Sequence, residues 1–281
     1  MCKPWWIALG MVFAPMLAHA ATPQRVVSLG GDITETVYML GAQSALVGRD
    51  STSQWPADAA RLPDVGYVRQ LAAEGILSLH PQLIIATHDA GPPPVISQLQ
   101  SAGVHIETLP VSYTPDAVIA KVRTVGQLLD KSSVADREIA QLQSKYSALA
   151  KVVAAMPRHP KVVFMMSAGS GSPMLAGRDT AATHAMTLAG GVNPVVDYTG
   201  YKPVSPESLA ALAPDVIVLM RERADTLGGV DGVLRLPGVA LTPAGKARRV
   251  VTIDGQALLG FGPRNADEEL ALQRELAAAD E

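Results

Sequence analysis

A short segment that occurs twice constrains the fold of this chain more than any other feature. In each half an acid, Glu74 or Glu207, lies seven residues before a proline, and a run of branched apolar residues begins two residues after that proline. The two apolar runs occupy 83–85 and 216–218. Each copy predicts a short helix that begins near the acid, ends at the proline and leads into a buried strand. The repetition predicts two related lobes.

Strand and helix patterns alternate around both copies. Apolar runs typical of buried parallel strands lie at 25–29, 83–86, 104–108 and 161–166. Asp32, with Glu35 three residues later, predicts the N-cap of a helix after the first run. A second helix is predicted at 95–102, closed by Gly103. This alternation predicts an α/β fold with parallel sheets.

A helical pattern of about forty residues separates the two α/β segments. Thr114 followed by Pro115 predicts its N-cap and first position. Gly126 and the stretch 131–133 predict interruptions, and 137–155 is predicted as the most regular helix. A stiff helical spacer between two lobes predicts limited closure on a ligand.

The first twenty residues have the pattern of a secretory signal peptide. Lys3 precedes the apolar run 5–17, and Ala18-His19-Ala20 provides a cleavage site. The apolar run is too short to span a membrane. We therefore expect a signal peptide at 1–20, an N-terminal α/β lobe at 21–112, a helical spacer at 113–156 and a C-terminal α/β lobe at 157–281.

The composition excludes several classes of function. With 48% hydrophobic and 17% charged residues the chain is globular, and its formal net charge of −3 makes nucleic acid an unexpected partner. Cys2 is the single cysteine, so no disulfide framework and no zinc site of paired thiolates is possible. Cys2 also precedes the apolar run, whereas the lipid-anchored cysteine of a lipoprotein follows it. An exported chain without disulfides suits the bacterial periplasm.

Several short motifs follow one another along nearly the whole chain after residue 20. They lie at 62–69, 74–79, 91–93, 177–182, 190–193, 200–203, 227–232 and 260–264. With these motifs the chain resembles the periplasmic haem-binding proteins of bacterial ABC importers, a branch of the helix-spaced (class III) solute-binding family that also contains cobalamin and siderophore binders. The resemblance implies two Rossmann-like lobes joined by a long spacer helix.

The resemblance also implies a function. A protein of this kind captures haem in the periplasm and delivers it to the permease and ATPase of an inner-membrane ABC importer for iron uptake, and it is not an enzyme. The ligand implied is ferric haem b, and a monomer is expected. A siderophore or cobalamin carrier of the same fold is the alternative. The five histidines after residue 20 form no close ligand pair, so a metal-ion carrier is not expected.

The resemblance places the axial ligand of the haem iron at Tyr67. Ferric iron favours a hard anionic ligand, and tyrosinate is one of few side chains that supply one. If the segment is extended, Arg69 lies on the same side as Tyr67 and can donate to its oxygen. A free phenol has a pKa of about 10, so ionising it at pH 7 costs about 4 kcal/mol, which iron would mostly supply. An exposed loop tyrosine beside a solvated arginine is the simpler interpretation of the residues alone.

Other candidate residues lie in the second half. Some relatives use a histidine after the first strand of the C-terminal lobe as a second axial ligand, but 167–172 contains none, which favours one five-coordinate haem over a stacked pair. Arg221 and Arg223 follow the run 216–220, at the strand edge where α/β proteins bind ligands. They are candidates to pair with Tyr67 or a propionate. The methionines Met165, Met166 and Met220 are predicted to pack in the core.

Glu74 and Glu207 have a candidate role of their own. The resemblance implies that one glutamate on each lobe docks against arginines of the permease. Both acids also lie near predicted helix N-termini, where the helix dipole alone favours a negative charge. One acid per lobe at the same register favours docking, because capping does not require such a match.

Overall fold

The computed structural model describes residues 24–167 and 172–278. The predicted signal peptide at 1–20 therefore lies outside the described residues. Within the described part of the chain, no helix combines the length and apolar character needed to cross a membrane.

The first sheet is entirely parallel, as predicted. Its strands are β1 (Val26–Leu29), β2 (Leu46–Arg49), β3 (Leu83–Thr87) and β4 (His105–Leu109), in the order β2-β1-β3-β4. Val26 pairs with Leu83, which pairs in turn with His105. The helices of this lobe are α1 (Gly31–Met39), α2 (Ala73–Leu77) and α3 (Pro93–Ser101). The buried runs of β1 and β3 explain their apolar sequences, because helices cover both faces of such a sheet.

The start of α1 differs from the prediction. Gly30, not Asp32, is the N-cap, and it makes no side-chain capping bond. Gly30 has a φ of 134°, and a Cβ there would lie 2.5 Å from Cγ2 of Thr87, so the position requires glycine. Asp32 and Glu35 instead face inward from the first turns of α1 and bind cations from distant parts of the chain. The capping-box prediction was wrong because tertiary ion pairs use these acids.

The helical segment consists of two helices, α4 (Pro115–Leu128) and α5 (Ser132–Ala154). Thr114 caps α4 as predicted, since its side chain accepts from the N–H of Ala117 at 3.2 Å. Gly126 does not interrupt α4; a Cβ there would lie 2.6 Å from Cβ of Ala135, so this glycine allows α4 and α5 to pack closely. The break falls at 129–131, close to the predicted stretch 131–133.

The second sheet is mixed. Its strands are β5 (Val162–Ser167), β6 (Met174–Ala176), β7 (Tyr201–Pro203), β8 (Val216–Met220) and β9 (Val250–Ile253), in the order β7-β6-β5-β8-β9. The predicted parallel arrangement holds for β5, β8 and β9, whereas β6 and β7 add an antiparallel edge. The helices of this lobe are α6 (Ala181–Leu188), α7 (Pro206–Leu212), α8 (Arg221–Thr226), α9 (Gly229–Leu234), α10 (Pro243–Lys246), α11 (Gly255–Leu259) and α12 (Asn265–Ala278).

The repeated segment matches in backbone detail. Glu74 and Glu207 are each the second residue of a short helix, α2 or α7. The residue before each proline, His80 or Ala213, has a φ of 46°. This left-handed residue turns the chain into β3 or β8. Ala213 is also the C-cap of α7, whereas α2 already ends at Leu77 with Ser78 as its C-cap. The two lobes are therefore built on the same supersecondary unit.

One hydrophobic cluster runs through the spacer into both lobes. Buried side chains of β1 and β3 pack with one face of α4 and α5, and the same cluster continues into β5, β8 and α12. The spacer thus shares a continuous core with both sheets, which agrees with the expectation of limited closure. The exact division at 112/113 and 156/157 stays a prediction.

Glu269 is a buried acid between α5 and α12. Tyr146 of α5 donates to Asn265 Oδ1 at 2.8 Å, and Asn265 Nδ2 donates to Glu269 Oε1 at 3.3 Å. The other oxygen, Oε2, has no hydrogen-bond partner within the described part of the chain. Burial raises the pKa of Glu269 well above its usual value, because an unpaired charge is costly in a low-dielectric core.

Replacement of this acid by its neutral isostere is expected to change the pH dependence of folding. Because the folded-state pKa of Glu269 is above the unfolded one, its stabilising contribution is complete below the unfolded pKa and is lost as pH rises through the folded pKa. At about pH 4 the free energy of unfolding of Glu269→Gln should equal that of the wild type. At neutral pH the variant should be more stable, by about 1.4 kcal/mol for each pH unit by which folding raises the pKa of Glu269. Urea unfolding across this pH range measures the difference. Exposed Glu275→Gln on the same helix is the control, and equal pH slopes for Glu269→Gln and wild type would contradict the expectation.

Candidate functional site

A cleft of about 910 Å³ lies between the two sheets. Its lining includes residues at or just after the carboxyl ends of strands from both lobes: Thr87 and Leu109 of the first sheet, and Met220 and Asp254 of the second. This edge is where parallel α/β sheets bind ligands. The cleft is therefore the candidate binding site.

Tyr67 and Arg69 line this cleft together. Arg69 Nη1 donates to the phenolic oxygen of Tyr67 at 2.7 Å, so the predicted contact is confirmed. The geometry behind the contact differs from the prediction, since Gln70 N–H bonds to the carbonyl of Tyr67 at 2.7 Å and closes a tight turn. The turn, and not an extended strand, brings the two side chains to one side. Tyr67 as a whole is 38% exposed and lines the cleft.

Asp89 fixes the orientation of Arg69. Its Oδ2 accepts from Nε of Arg69 at 2.7 Å and from Nη2 at 2.5 Å, and its Oδ1 accepts from Thr87 at 2.6 Å. Burial alone would raise the pKa of Asp89, but the hydrogen bonds from Thr87 and Arg69 and the charge of Arg69 outweigh it and lower the pKa. Asp89 was not among the residues predicted to form the site. Its position directly after a strand at the ligand-binding edge was the available signal.

The two arginines predicted in the C-terminal lobe lie elsewhere. Arg221 and Arg223 begin α8 with exposed side chains and are not among the cleft-lining residues, whereas Glu222 between them is. Arg221 lies close enough to Glu268 to oppose the rise in pKa that burial causes in that acid. A contact of either arginine with a bound ligand stays a prediction without a supporting contact in the structure.

The methionines are divided between core and cleft. Met165 is fully buried in the core, as predicted. Met166 and Met220 are half-buried: both pack against the hydrophobic core, as predicted, and both also line the cleft, which was not predicted. Each lies near the carboxyl end of its strand, where side chains leave the core and reach the cleft edge. With Tyr113 and Phe261, whose ring centroids are 5.3 Å apart, they make part of the lining apolar.

An ion pair between a buried acid and a partly buried arginine connects the two lobes. Glu35 of α1 is fully buried and accepts from Nη2 of Arg264 at 2.6 Å and from its Nε at 3.1 Å. Arg264 also binds Asp254 at 2.8 Å. Burial raises the pKa of Glu35, although the Arg264 hydrogen bonds and charge act in the opposite direction.

Lys121 makes a second connection between the spacer and both lobes. It forms an ion pair with Asp32 of α1 and donates to the carbonyl of Phe261 at 3.0 Å. Lys121 and Asp32 both line the cleft. These contacts between the lobes could not be predicted from the sequence, because each joins residues far apart in the chain.

The two repeated acids are exposed, at the beginnings of α2 and α7. Hydrogen bonds from the backbone N–H of Glu207 and from the hydroxyl of Ser205 lower the pKa of Glu207.

Among the described residues, no group of three or more His, Cys, Asp or Glu side chains could hold a metal ion. The cleft therefore offers one phenol–guanidinium pair beside an apolar surface, which suits a flat, largely apolar ligand.

The chain belongs to the family of periplasmic binding proteins, whose model matches residues 26–257. Its two α/β lobes and helical spacer are those of the class III, helix-spaced group. Family membership assigns the coarse role of a substrate-binding component of an ABC transport system.

Solved haem-binding proteins are among the similar structures. BhuT, a periplasmic haem-binding protein in complex with two haems, is 38% identical with a TM-score of 0.86, over 91% of this chain and 98% of that one. RhuT from Roseiflexus sp. RS-1, in apo form, is also 38% identical with a TM-score of 0.87, over 92% and 99%. A cobalamin-binding protein of Halobacterium salinarum is 27% identical over 86% of this chain and 66% of its own length.

The prediction of a single five-coordinate haem rests on the loop 167–172. Residues 168–171 of that loop lie outside the described residues, so the prediction stays untested.

Removal of the arginine from the buried cross-lobe pair is expected to destabilise the fold strongly. Arg264→Met leaves Glu35 without a cation in the core, which costs about 3–5 kcal/mol. The double variant Glu35→Met/Arg264→Met should recover much of that loss, because it removes both charges. Urea unfolding measures the cycle, with exposed Arg274→Met as control. Losses that simply add in the double variant would contradict the coupling.

Proposed function

We propose that this protein binds haem in the cleft between its lobes and delivers it to an inner-membrane ABC importer. The observation that carries the proposal is the Tyr67–Arg69 pair, in which a guanidinium held by Asp89 donates to a cleft-facing phenol. In this proposal the cargo is ferric haem b, and the phenolate of Tyr67 is its axial ligand.

The electrostatics of the pair support that role. Burial alone would lower the pKa of Arg69, but the hydrogen bond and charge of Asp89 and the contact with Tyr67 raise it, so the guanidinium keeps its charge. A charged donor at 2.7 Å from the phenolic oxygen favours the phenolate form when iron binds. Asp89 balances the charge of Arg69, so the site does not depend on the ligand to neutralise it.

The remaining lining suits the rest of a haem molecule. Met166, Met220 and Tyr113 are half-buried side chains of the lining that can provide apolar contacts for a flat porphyrin ring. The haem-binding proteins BhuT and RhuT, similar over almost their whole lengths, also support haem as the ligand.

The second candidate is cobalamin, or a siderophore carried by the same fold. The similarity to cobalamin-binding proteins is the observation that favours it. The Tyr67–Arg69 pair favours haem, since a phenolate ligand suits exposed ferric iron, whereas a cobalamin or siderophore needs no single tyrosinate. Competition between hemin and cyanocobalamin for the purified protein distinguishes the two.

Glu74 and Glu207 are proposed as the permease-docking acids. Their exposure, their equal positions in α2 and α7 and the lowered pKa of Glu207 keep one negative charge available on each lobe. Arginines on the permease are the partners that this geometry fits.

We also propose that residues 1–20 direct the chain to the periplasm. There the protein acts as a monomer and carries out no chemistry on its ligand.

Loss of the phenolic oxygen is expected to remove the iron ligand. Hemin added to the wild-type apo-protein should give a high-spin Fe–tyrosinate absorption spectrum. Tyr67→Phe should abolish that spectrum and weaken hemin binding by about a hundredfold, or about 2.7 kcal/mol. Tyr113→Phe is the matched control, because Tyr113 also lines the cleft. An unchanged spectrum in Tyr67→Phe would exclude Tyr67 as the ligand.

Reversal of both docking charges is expected to separate binding from transport. Glu74→Arg/Glu207→Arg should bind hemin like the wild type but lose transport in vesicles that contain the importer. Asp136→Arg/Glu275→Arg changes the net charge equally at two other exposed acids and should transport normally. Full transport by the Glu74/Glu207 double variant would refute the docking role.

A further inference from the structure

Trp55 places a large aromatic side chain at the cleft without burying it. The indole lines the cleft and is 41% exposed. Exposed apolar surface is unfavourable in water, so burial of the indole against a ligand would be favourable. Two residues of the C-terminal lobe, Gln256 and Arg264, hold Trp55 at this position.

Gln256 of the C-terminal lobe holds the backbone of this loop. Its Oε1 accepts from the N–H groups of Gln54 at 2.9 Å and Trp55 at 3.1 Å. Its Nε2 donates to Glu35 at 2.7 Å, which anchors Gln256 itself on the buried ion pair. The loop of one lobe is thus fixed by a side chain of the other.

Arg264 holds the indole ring. Its guanidinium carbon lies 4.3 Å from the ring centroid, within the range of a cation–π contact. The guanidinium of Arg264 is fixed in place, because Glu35 and Asp254 bind it at 2.6 and 2.8 Å. The ring is therefore held by a group that is itself fixed by two ion pairs.

We propose that Trp55 is a preorganised stacking surface for the conjugated ring of the bound ligand, with Arg264 and Gln256 as its positioning residues. The inference rests on the proposed function and deepens it, since it assigns recognition of the macrocycle to a residue other than the iron ligand. Stacking depends on the flat ring and not on the metal. Trp55 therefore selects a planar tetrapyrrole, and Tyr67 selects its iron.

Two ligands separate these roles: hemin and metal-free protoporphyrin IX. Trp55→Ala should weaken binding of both ligands by a similar factor of about tenfold, while Trp55→Phe keeps most of the affinity. Tyr67→Phe should weaken hemin binding strongly and leave metal-free protoporphyrin binding unchanged. Leu241→Ala, which truncates an exposed apolar side chain outside the cleft lining, should bind both ligands like the wild type. Absorbance titrations measure the wild type and the four variants, and urea unfolding checks that each is folded.

The outcomes distinguish the inference from the proposed function. Failure of the wild type to bind hemin would overturn the proposed function. Normal hemin binding with full affinity of a folded Trp55→Ala for both ligands would overturn only the role of Trp55. A loss confined to hemin would also overturn it, because stacking would then not be the cause.

Discussion

The ion pair between fully buried Glu35 and partly buried Arg264 joins the two lobes that form the walls of the cleft. A carboxylate and a guanidinium are tolerated out of water only when they meet each other with good geometry. Glu35 belongs to the first helix of one lobe, and Arg264 precedes the last helix of the other. Any separation of the lobes at this point would leave a buried charge without its partner. Together with the core shared through the spacer, this pair sets the width of the cleft independently of a ligand.

A cleft whose shape is set in advance selects its ligand by the chemistry of its lining. The chain of contacts from Thr87 to Asp89, Arg69 and Tyr67 converts a loop tyrosine into an oriented oxygen with a charged donor beside it. Each member fixes the next, so little conformational freedom is lost when a ligand arrives. The same reasoning applies to the aromatic ring of Trp55. Preorganisation of this kind increases affinity because ordering costs are already met in the free protein.

The parts of the fold that depend on local patterns could be predicted from the sequence. The repeated acid–proline–strand segment, the cap at Thr114 and the proximity of Arg69 to Tyr67 involve residues close in the chain. The ion pairs of Asp32 and Glu35 could not be predicted, because the sequence pattern of a capping box is the same whether the acids bind the backbone or distant cations. Gly126 was misleading for a similar reason, since a glycine that breaks a helix and one that admits a neighbouring helix look alike in one sequence.

The two lobes share a scaffold, but the site built on it is asymmetric. Asp89 and Glu222 occupy equivalent places after β3 and β8, separated by the same interval as Glu74 and Glu207, and both line the cleft. On the first lobe the acid holds an arginine against a phenol. On the second lobe the strand ends in Met220, and the described cleft-lining residues of that lobe include no arginine. A symmetric pair of lobes would offer two equal anchoring points, and a ligand with one metal centre would bind in two orientations. In the proposed function, the divergence of the cleft edge gives a bound haem iron one anchor, and the exposed acids Glu74 and Glu207 keep the matched positions that a two-point contact with a permease would use.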